Sequence, residues 1–330
     1  MTIVTAIPKS TASPSFGGIN PGYFAVFTTL LIWAGFFISL RAGAKSVLTS
    51  ADLALIRFGV PALFLSGLAW RRRDKILATP KRYLLGILCG AGLPFFFISA
   101  TAMQYAPVAH GSTLVPGTLP LFVTAIAILF YKESLSRHRA WGLTLIIAGI
   151  ATIIGGSMTH SQLIQELWQG HLLFLSASLF WAYFTISMRM SGLTALEGAS
   201  VFSIGSMVLL GGLALTGSIE SHLLEAPAEQ IVFQLVVQGL MVGLIAGFCY
   251  GFAIAKLGAE KTAAIGAFTP VLASLIAIPV FAENIDLSSG LGMLFITSGT
   301  LLASQIFMAN QPLSNQASID KEQTHVEFIK

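Results

Sequence analysis

Residues 109–133 read AHGSTLVPGTLPLFVTAIAILFYKE, and residues 259–283 read AEKTAAIGAFTPVLASLIAIPVFAE. The two segments match at a constant offset of 150 positions, which continues into the residues that follow them. The matched pairs include Ala109/Ala259, Pro120/Pro270, Glu133/Glu283, Gly142/Gly292, Ile146/Ile296 and Gly149/Gly299. One half of the chain is therefore a copy of the other, and the fold must contain this segment twice.

The composition is that of a membrane protein. Of the 330 residues, 55% are hydrophobic and only 10% are charged, whereas a soluble domain is roughly 25% charged. The mean hydropathy is +0.81. Cys89 and Cys249 both lie in apolar segments, where cysteine is a small packing residue and offers neither a disulfide framework nor a metal site.

A membrane-spanning helix needs about 20 apolar residues, and the sequence predicts ten such spans between two polar tails at 1–20 and 310–330. The predicted spans are 22–41, 51–70, 83–104, 108–131, 139–157, 170–190, 197–216, 231–255, 261–282 and 288–309. In the first and sixth spans, LIWAGFFISLR (31–41) and LFWAYFTISMR (179–189) are identical at seven of eleven positions. The repeat unit is therefore five helices long, and the two units are predicted at 21–157 and 168–309.

Because five is odd, the second unit must enter the membrane from the side opposite to the first. The sequence therefore predicts an all-α fold of ten transmembrane helices, built as two inverted five-helix repeats. Loop charges orient it: fifteen Lys and Arg fall on the side that holds both tails, and only Arg41 and Lys45 on the other. This excess predicts that both termini are cytoplasmic. The same distribution among short loops argues against a nucleic-acid partner.

Motifs for catalysis are missing from the sequence. It has no GxxxxGK[ST] loop, no HExxH or CxxC motif, and no pair of carboxylates within a predicted span. We therefore expect no enzyme activity, no catalytic residues, no metal and no cofactor.

Six residues are candidates for contact with a substrate: Trp33, Arg57, His110, Pro120, Trp181 and Pro270. The two prolines are expected to interrupt their helices near the midplane and to free backbone carbonyls. Matching interruptions in inverted halves indicate a transporter site. The two tryptophans lie in mid-helix, where they form either core packing or an aromatic cavity wall.

Charged and titratable candidates leave two interpretations open. Arg57 lies inside a predicted span, where charge is costly, so it either contacts substrate or anchors the helix by reaching the interface or Asp52. Glu133 and Glu283 end the copied segments and are expected to cap or anchor them. His110 is the remaining candidate near the cavity for any proton coupling, because the first and sixth spans contain no carboxylate.

With these residues in place, the chain resembles the EamA-type permeases of the drug/metabolite transporter superfamily over about 22–309. The resemblance rests on the tryptophan-containing first helix of each repeat, on Arg57, and on an Ala-x(10)-Pro-x(12)-Glu pattern with a following Gly-x(6)-Gly that both halves fit. It implies ten helices, an inner-membrane location and transport of small metabolites. It departs in the seventh span, which has no counterpart of Arg57, and at Lys256.

The expected function is a secondary transporter, in the export direction, of a small metabolite such as an amino acid or a related amphipathic compound. The expected partners are a small-molecule substrate and the lipid bilayer, and a homo-oligomer is left open. Alternatives are a channel, a membrane-embedded enzyme and an exchanger of phosphorylated metabolites. The exchanger would need several basic residues in the cavity, whereas Lys256 and Lys261 are expected at helix ends.

Overall fold

The computed structural model describes residues 20–132, 134–157 and 164–304. Over these ranges the chain forms helices and connecting turns and contains no β-strand, so the predicted all-α class is confirmed. Glu133 and both tails lie outside the described residues.

The helices follow the predicted spans, with subdivisions. In the first half they are α1 (Pro21–Ala44), α2 (Ser50–Arg71), α3 (Arg73–Ala78), α4 (Lys81–Ala91), α5 (Leu93–Tyr105), α6 (Val108–Gly117), α7 (Leu119–Tyr131) and α8 (Arg137–Ser157). In the second half they are α9 (Ile164–Ser191), α10 (Ala195–Leu215), α11 (Ala228–Gln234), a π-helical segment (Leu235–Ile245), α12 (Ala246–Leu257), α13 (Ala259–Gly266), α14 (Thr269–Phe281) and α15 (Leu287–Ala303). Within the described ranges, nine helical stretches are long and apolar enough to cross a membrane, and α15, with 17 residues, is a shorter apolar helix.

Two subdivisions were not predicted. The third span breaks at Gly92, just before Pro94, and Ser206 on α10 accepts a hydrogen bond from the Leu93 N–H at 2.8 Å. The eighth span contains the π-helical segment, whose wider turns change the direction of successive side chains relative to an α-helix. A Cβ built on Gly239 or Gly243 would meet α2, whereas one built on Gly247 or Gly251 would meet nothing within 4 Å.

The bundle has two ends. At the terminal end, α1 begins beside the end of α12, since a Cβ built on Gly22 would lie 2.7 Å from Leu257. At the distal end, α1 finishes beside the end of α14, where Arg41 pairs with Glu283 at 2.9 Å. Helix α1 thus extends from one end of the bundle to the other, with the end of α12 beside its start and the end of α14 beside its finish.

Helices α8 and α15 pack backbone to backbone through four glycines. A Cβ built on Gly142 would lie 2.7 Å from the Gly299 oxygen, and one on Gly149 would lie 2.7 Å from the Gly292 oxygen. The contacting numbers rise along one helix and fall along the other, so the two helices are antiparallel. In the sequence Gly142 matches Gly292 and Gly149 matches Gly299, whereas in the structure Gly142 contacts Gly299 and Gly149 contacts Gly292. Exchanging the two repeats therefore exchanges the two contacts, as in a two-fold interface.

The first turns of α2 and α10 make a second pair of reciprocal contacts, because each contacts the residues that follow the end of the other helix. Each opens with a capping box, Thr49 with Asp52 and Thr194 with Glu197. The Glu197 carboxylate binds Lys75 at 2.6 Å, just beyond the end of α2. The Asp52 carboxylate accepts hydrogen bonds from Ser221 and from the His222 N–H, just beyond the end of α10. Each capping acid therefore ties its helix to the end of the other.

An ion pair closes the distal end. The Arg41 guanidinium binds Glu283 and also donates to the Met103 carbonyl, while the other Glu283 oxygen accepts the Val108 N–H at 2.9 Å. One carboxylate thus holds the end of α1 and the first turn of α6, as expected for an anchoring role of Glu283.

Packing is tight in the distal half and looser in the terminal half. In α6 all residues from Val108 to Val115 are buried, whereas in α7 only Thr124 and Ala127 are. The main hydrophobic core likewise includes Phe36–Ile38 near the distal end of α1. Towards the terminal end, Phe268 is 51% exposed.

The glycine contact between α8 and α15 predicts a stability effect. Gly149→Ala should lower the free energy of unfolding by about 1–3 kcal/mol, because its Cβ would overlap a backbone oxygen that cannot move aside. Thermal unfolding in detergent measures this. The control is Gly155→Ala on the same helix, where a Cβ meets nothing within 4 Å. Equal melting temperatures for the two variants would contradict the packing described.

The distal ion pair predicts non-additive effects. Glu283→Ala leaves the Arg41 guanidinium, 17% exposed, without its carboxylate, and should cost about 3 kcal/mol of unfolding free energy. The double variant with Arg41→Ala should recover at least about 0.5 kcal/mol relative to the sum of the single changes. Asp74→Ala is the control, because its pair with Arg73 is exposed and spans 3.6 Å. Additivity would mean that the pair carries no coupling.

Candidate functional site

The interruptions predicted at the two prolines are present. Pro120 lies in the first turn of α7, after α6 has ended at Gly117, and Pro270 lies in the first turn of α14, after α13 has ended at Gly266. Proline has no N–H and its ring displaces the preceding turn, so each helix restarts there.

Two carbonyls at these breaks have hydroxyl donors within the chain. The Gly266 carbonyl, which Pro270 deprives of its usual donor, accepts the Thr269 hydroxyl at 2.7 Å. At the other break, the Gly117 carbonyl accepts the Thr300 hydroxyl of α15 at 2.9 Å. The breaks can shape a cavity, but these two carbonyls already have donors.

The tryptophans contact helices of the opposite half. The ring centroids of Trp33 and Tyr250 on α12 are 5.0 Å apart, and the Trp33 ring lies 3.4 Å from a Cβ built on Gly266, at the break before Pro270. Trp181 lies 6.1 Å from Phe95 on α5, between ring centroids. Both tryptophans are half-buried. Trp33 and the Pro270 break therefore lie together, but no ring contact joins the two tryptophans in the described part of the chain.

Arg57 does not bind Asp52. Within the described ranges the Asp52 carboxylate bonds Thr49, Ser221 and His222, and no ion pair involves Arg57. The Arg57 Nη1 is buried without a hydrogen-bond partner, and the guanidinium lies 5.5 Å from the centroid of the Phe58 ring. Arg57 shares its face of α2 with buried Ala54, Phe58 and Pro61. A buried cation without a partner is costly, so this group is suited to an anionic ligand.

Two amides that the sequence analysis missed lie at about the depth of Arg57 in the bundle. The Gln234 Nε2 donates to the Ser39 carbonyl at 2.9 Å, and the Gln238 Nε2 donates to the Ser39 hydroxyl oxygen at 2.6 Å. The Ser39 hydroxyl itself donates to the Phe36 carbonyl, so the orientation of both amides is fixed. Both Oε1 atoms are consequently left as buried acceptors without donors. Two glutamines four residues apart in an otherwise apolar span were the available signal.

These groups lie at one level of the bundle. A Cβ on Gly43 of α1 would meet Leu53 of α2. Ser39 precedes Gly43 by one turn and Arg57 follows Leu53 by one turn. Because α1 ends and α2 begins at the distal end, Ser39, one turn before Gly43, and Arg57, one turn after Leu53, lie at the same depth in the bundle. The π-helical segment packs on α2 there, since a Cβ on Gly239 would lie 3.2 Å from the Ile56 carbonyl oxygen.

His110 lies apart from this group, in a buried cluster at the distal end. Its Nε2 is 2.7 Å from the Ser289 hydroxyl on α15, and its Nδ1 is 2.9 Å from the His171 Nε2 on α9. His171 is inside α9 and 2% exposed. In the described residues no group of three or more His, Cys, Asp or Glu side chains could hold a metal ion.

Comparisons with known proteins agree with this architecture. A likeness of fold is found to a solved crystal structure that is 16% identical, with a TM-score of 0.55 over 86% of this chain and 96% of the other. The chain is 25% identical over 290 residues to the uncharacterized transporter YoaV of Bacillus subtilis (strain 168), covering 86% of this chain and 96% of that protein. It is 30% identical over 135 residues to the uncharacterized transporter YdfC of the same organism, covering 39% and 43%.

The model of the EamA-like transporter family matches twice, at residues 20–155 and 168–305, which together make up most of the chain. With two family repeats and apolar helices throughout, this multi-pass membrane protein belongs to the EamA-like transporter family of the drug/metabolite transporter superfamily, a family of transporters and not of enzymes.

Proposed function

We propose that this protein is a secondary transporter that exports a small metabolite, an amino acid or a related amphipathic compound, by alternating access. The observation that carries the substrate class is the buried Arg57 Nη1, which has no partner in the described residues. A carboxylate would supply one, in a charge-assisted bond worth about 1.5–3 kcal/mol. The flat faces of Trp33 and Trp181 suit an apolar body with a cationic or donor group.

We also propose ten membrane crossings, with α15 as the tenth, arranged as inverted repeats at 21–157 and 168–309. Two reciprocal contacts support the inversion: the antiparallel glycine pairs of α8 and α15, and the capping acids Asp52 and Glu197 at opposite ends. A two-fold axis in the membrane plane exchanges the members of each pair. The charge excess then orients the terminal end to the cytoplasm, with both tails (1–20 and 310–330) inside, in a cell inner (plasma) membrane.

Alternating access is supported by the difference between the two ends. The Arg41–Glu283 pair and the continuous burial of α6 close the distal end, whereas most of α7, and Phe268 just before α14, are more exposed. In the proposed orientation the more exposed end faces the cytoplasm, which is the side from which an exporter binds its substrate.

The exchanger of phosphorylated metabolites has less support. The Lys256 ammonium lies 5.7 Å from the centroid of the Phe252 ring at the end of α12, and Lys261 is exposed at the start of α13. Both are at the terminal end and do not form a basic cluster with Arg57. A channel remains a functional alternative that transport kinetics distinguish.

The test begins with a thermal-shift screen of the purified protein against amino acids, nucleosides and cationic drugs, because a ligand that binds the folded state raises its melting temperature. The ligand found is then assayed in proteoliposomes. Saturable counterflow supports a transporter, and flux that rises linearly with concentration supports a channel. Retained ligand-induced stabilisation in Arg57→Gln would contradict the carboxylate contact.

The proposed topology predicts the location of reporter fusions. Fusions at Gly156 and Glu225 should report the outside, and fusions at Lys75 and Lys330 should report the cytoplasm. Alkaline phosphatase and green fluorescent protein, which are active on opposite sides of the membrane, make the comparison at each position. A cytoplasmic report at Glu225 would contradict the inverted repeat.

The tryptophans predict a transport defect. Trp33→Ala and Trp181→Ala should each reduce counterflow about tenfold while the protein still inserts, because each loses an aromatic face worth about 1–2 kcal/mol to a bound cation. The control is Trp141→Ala on α8, whose side chain is 67% exposed. Normal transport by both variants at wild-type expression would make the tryptophans packing residues.

A further inference from the structure

The histidine cluster at the distal end is chemically separate from the proposed substrate site. His110 on α6, His171 on α9 and Ser289 on α15 are 6%, 2% and 5% exposed, respectively. Their hydrogen bonds of 2.9 and 2.7 Å join three helices that are distant in sequence. One of the three, α6, belongs to the first repeat, and the other two belong to the second. The cluster therefore fastens the two repeats together where the bundle is closed.

The geometry accommodates one additional proton and no more. In the neutral pair, one imidazole donates to the other, and the Ser289 hydroxyl can serve as donor or acceptor. If His110 gains a proton, its Nδ1 donates to the His171 Nε2 and its Nε2 donates to Ser289, so each bond is kept. A second proton would place two N–H groups opposite each other across 2.9 Å and break the pair.

A carboxylate is available to balance that charge. Asp286 caps α15, and its Oδ1 accepts the Ser289 N–H at 3.2 Å. Burial would by itself raise the pKa of Asp286, but hydrogen bonds from Ser288 and Ser289 lower it overall. Asp286 is therefore ionised at neutral pH. It is connected to the imidazole pair through Ser289, which bonds Asp286 by its N–H and His110 by its hydroxyl.

The other charged and titratable groups near this end already have roles or face outward. On the elements packed against α6 they are Arg41 and Glu283, which bind each other, Lys45, exposed just after α1 and 5.2 Å from the centroid of the Phe281 ring, Tyr105 at the end of α5, and Glu166, exposed in the first turn of α9. None of these groups is both buried and without an ion-pair partner, as the imidazole pair is.

We propose that His110 and His171 together form a proton-binding site, which holds one proton between two imidazoles and is loaded when the distal end opens. An imidazolium is costly in a closed, water-free position. Opening the distal end admits water and relieves this cost, so the open state binds the proton and the closed state releases it. By linkage, acid on the distal side shifts the population toward the open state, by up to about tenfold per pH unit for one proton.

This proposal rests on the alternating access proposed above and adds a proton to it. It also assigns a side to the effect. At the 150-residue offset, His110 corresponds to Glu260, and at the 148-residue offset of the first and sixth spans, His171 corresponds to Tyr23. The positions that correspond to the pair are therefore not histidines, and we assign the proton to distal opening.

The experiment measures opening directly and needs no substrate. Spin labels are attached at Glu166→Cys and Asn284→Cys, two exposed distal positions on either side of the pair, after Cys89 and Cys249 are changed to Ser. Distance distributions of the full-length protein in nanodiscs are recorded from pH 5 to pH 8. We expect a longer distance to gain population as the pH falls, over a range that fits one proton.

His110→Gln and His171→Gln keep hydrogen-bonding groups but cannot take up the proton, so both should abolish the pH response. Ser289→Ala keeps the pair and should move only its midpoint. The control is His222→Gln, a histidine in the distal loop whose ring is outside the pair, which should respond as wild type does. The proposal would be overturned if His110→Gln and His171→Gln both kept the pH response of the unmodified protein. It would also be overturned if the unmodified protein sampled two distances in a ratio that does not depend on pH.

The outcome is separable from the proposed function. Counterflow of a ligand with no pH-dependent change in distance would leave the transporter standing and reject the proton site. A pH-dependent distance change that requires both histidines, in a protein that catalyses only linear flux, would support the proton site and reject alternating-access transport.

Discussion

A bilayer offers no water to satisfy a polar group, and this constraint governs the whole structure. Every interruption of a helix must therefore be closed from within the chain. Thr300 reaches from α15 to the Gly117 carbonyl, Thr269 bonds the Gly266 carbonyl, and Ser206 accepts the Leu93 N–H at the break before Pro94. A hydroxyl meets each break, and two of the three come from a helix distant in sequence. The interruptions are thus tied into the fold by these three hydroxyls, and they can shape a cavity.

The same constraint explains how the two halves hold together. Apolar side chains gain little by leaving lipid for protein, so helices associate through close backbone approach and polar contacts. The glycines of α8 and α15 supply the first, and Asp52 with Glu197 supplies the second, one at each end. Because the contacts are reciprocal, one duplicated sequence provides both sides of each. At the distal end, the Arg41–Glu283 pair and the histidine cluster add further cross-links between the halves.

Buried polar groups fall into two classes with different consequences. Those at the distal end are saturated: Glu283 binds both a guanidinium and a backbone N–H, and His110 has partners on both ring nitrogens. Those one to two turns deeper are not, since the Arg57 Nη1 and the Oε1 atoms of Gln234 and Gln238 have no partners within the described residues. Groups whose hydrogen bonds are all made stabilise a closed end. Groups without partners raise the free energy of the empty protein, and a ligand that supplies the missing bonds removes this cost.

The sequence by itself determined the all-α class, the approximate position of each apolar helix, the duplication and the two proline interruptions, because span length, offset and proline chemistry are local properties of the chain. It also singled out Arg57 as a cation inside a helix. It could not assign that residue's partner, and anchoring to Asp52, one of the two readings it left open, is absent because the loop after α10 fills that carboxylate. Nor could it predict that His171 lies beside His110, that the Gln234 and Gln238 amides bond Ser39, or that threonine hydroxyls bond the carbonyls at the helix breaks. Each of these pairs residues far apart in the chain, and only the packing of α1, α6, α9, α15 and the π-helical segment brings them within hydrogen-bonding distance. Tertiary structure decided which polar groups are paired and which remain free, since in a bilayer a hydrogen bond depends on which helices are neighbours and not on the type of residue alone.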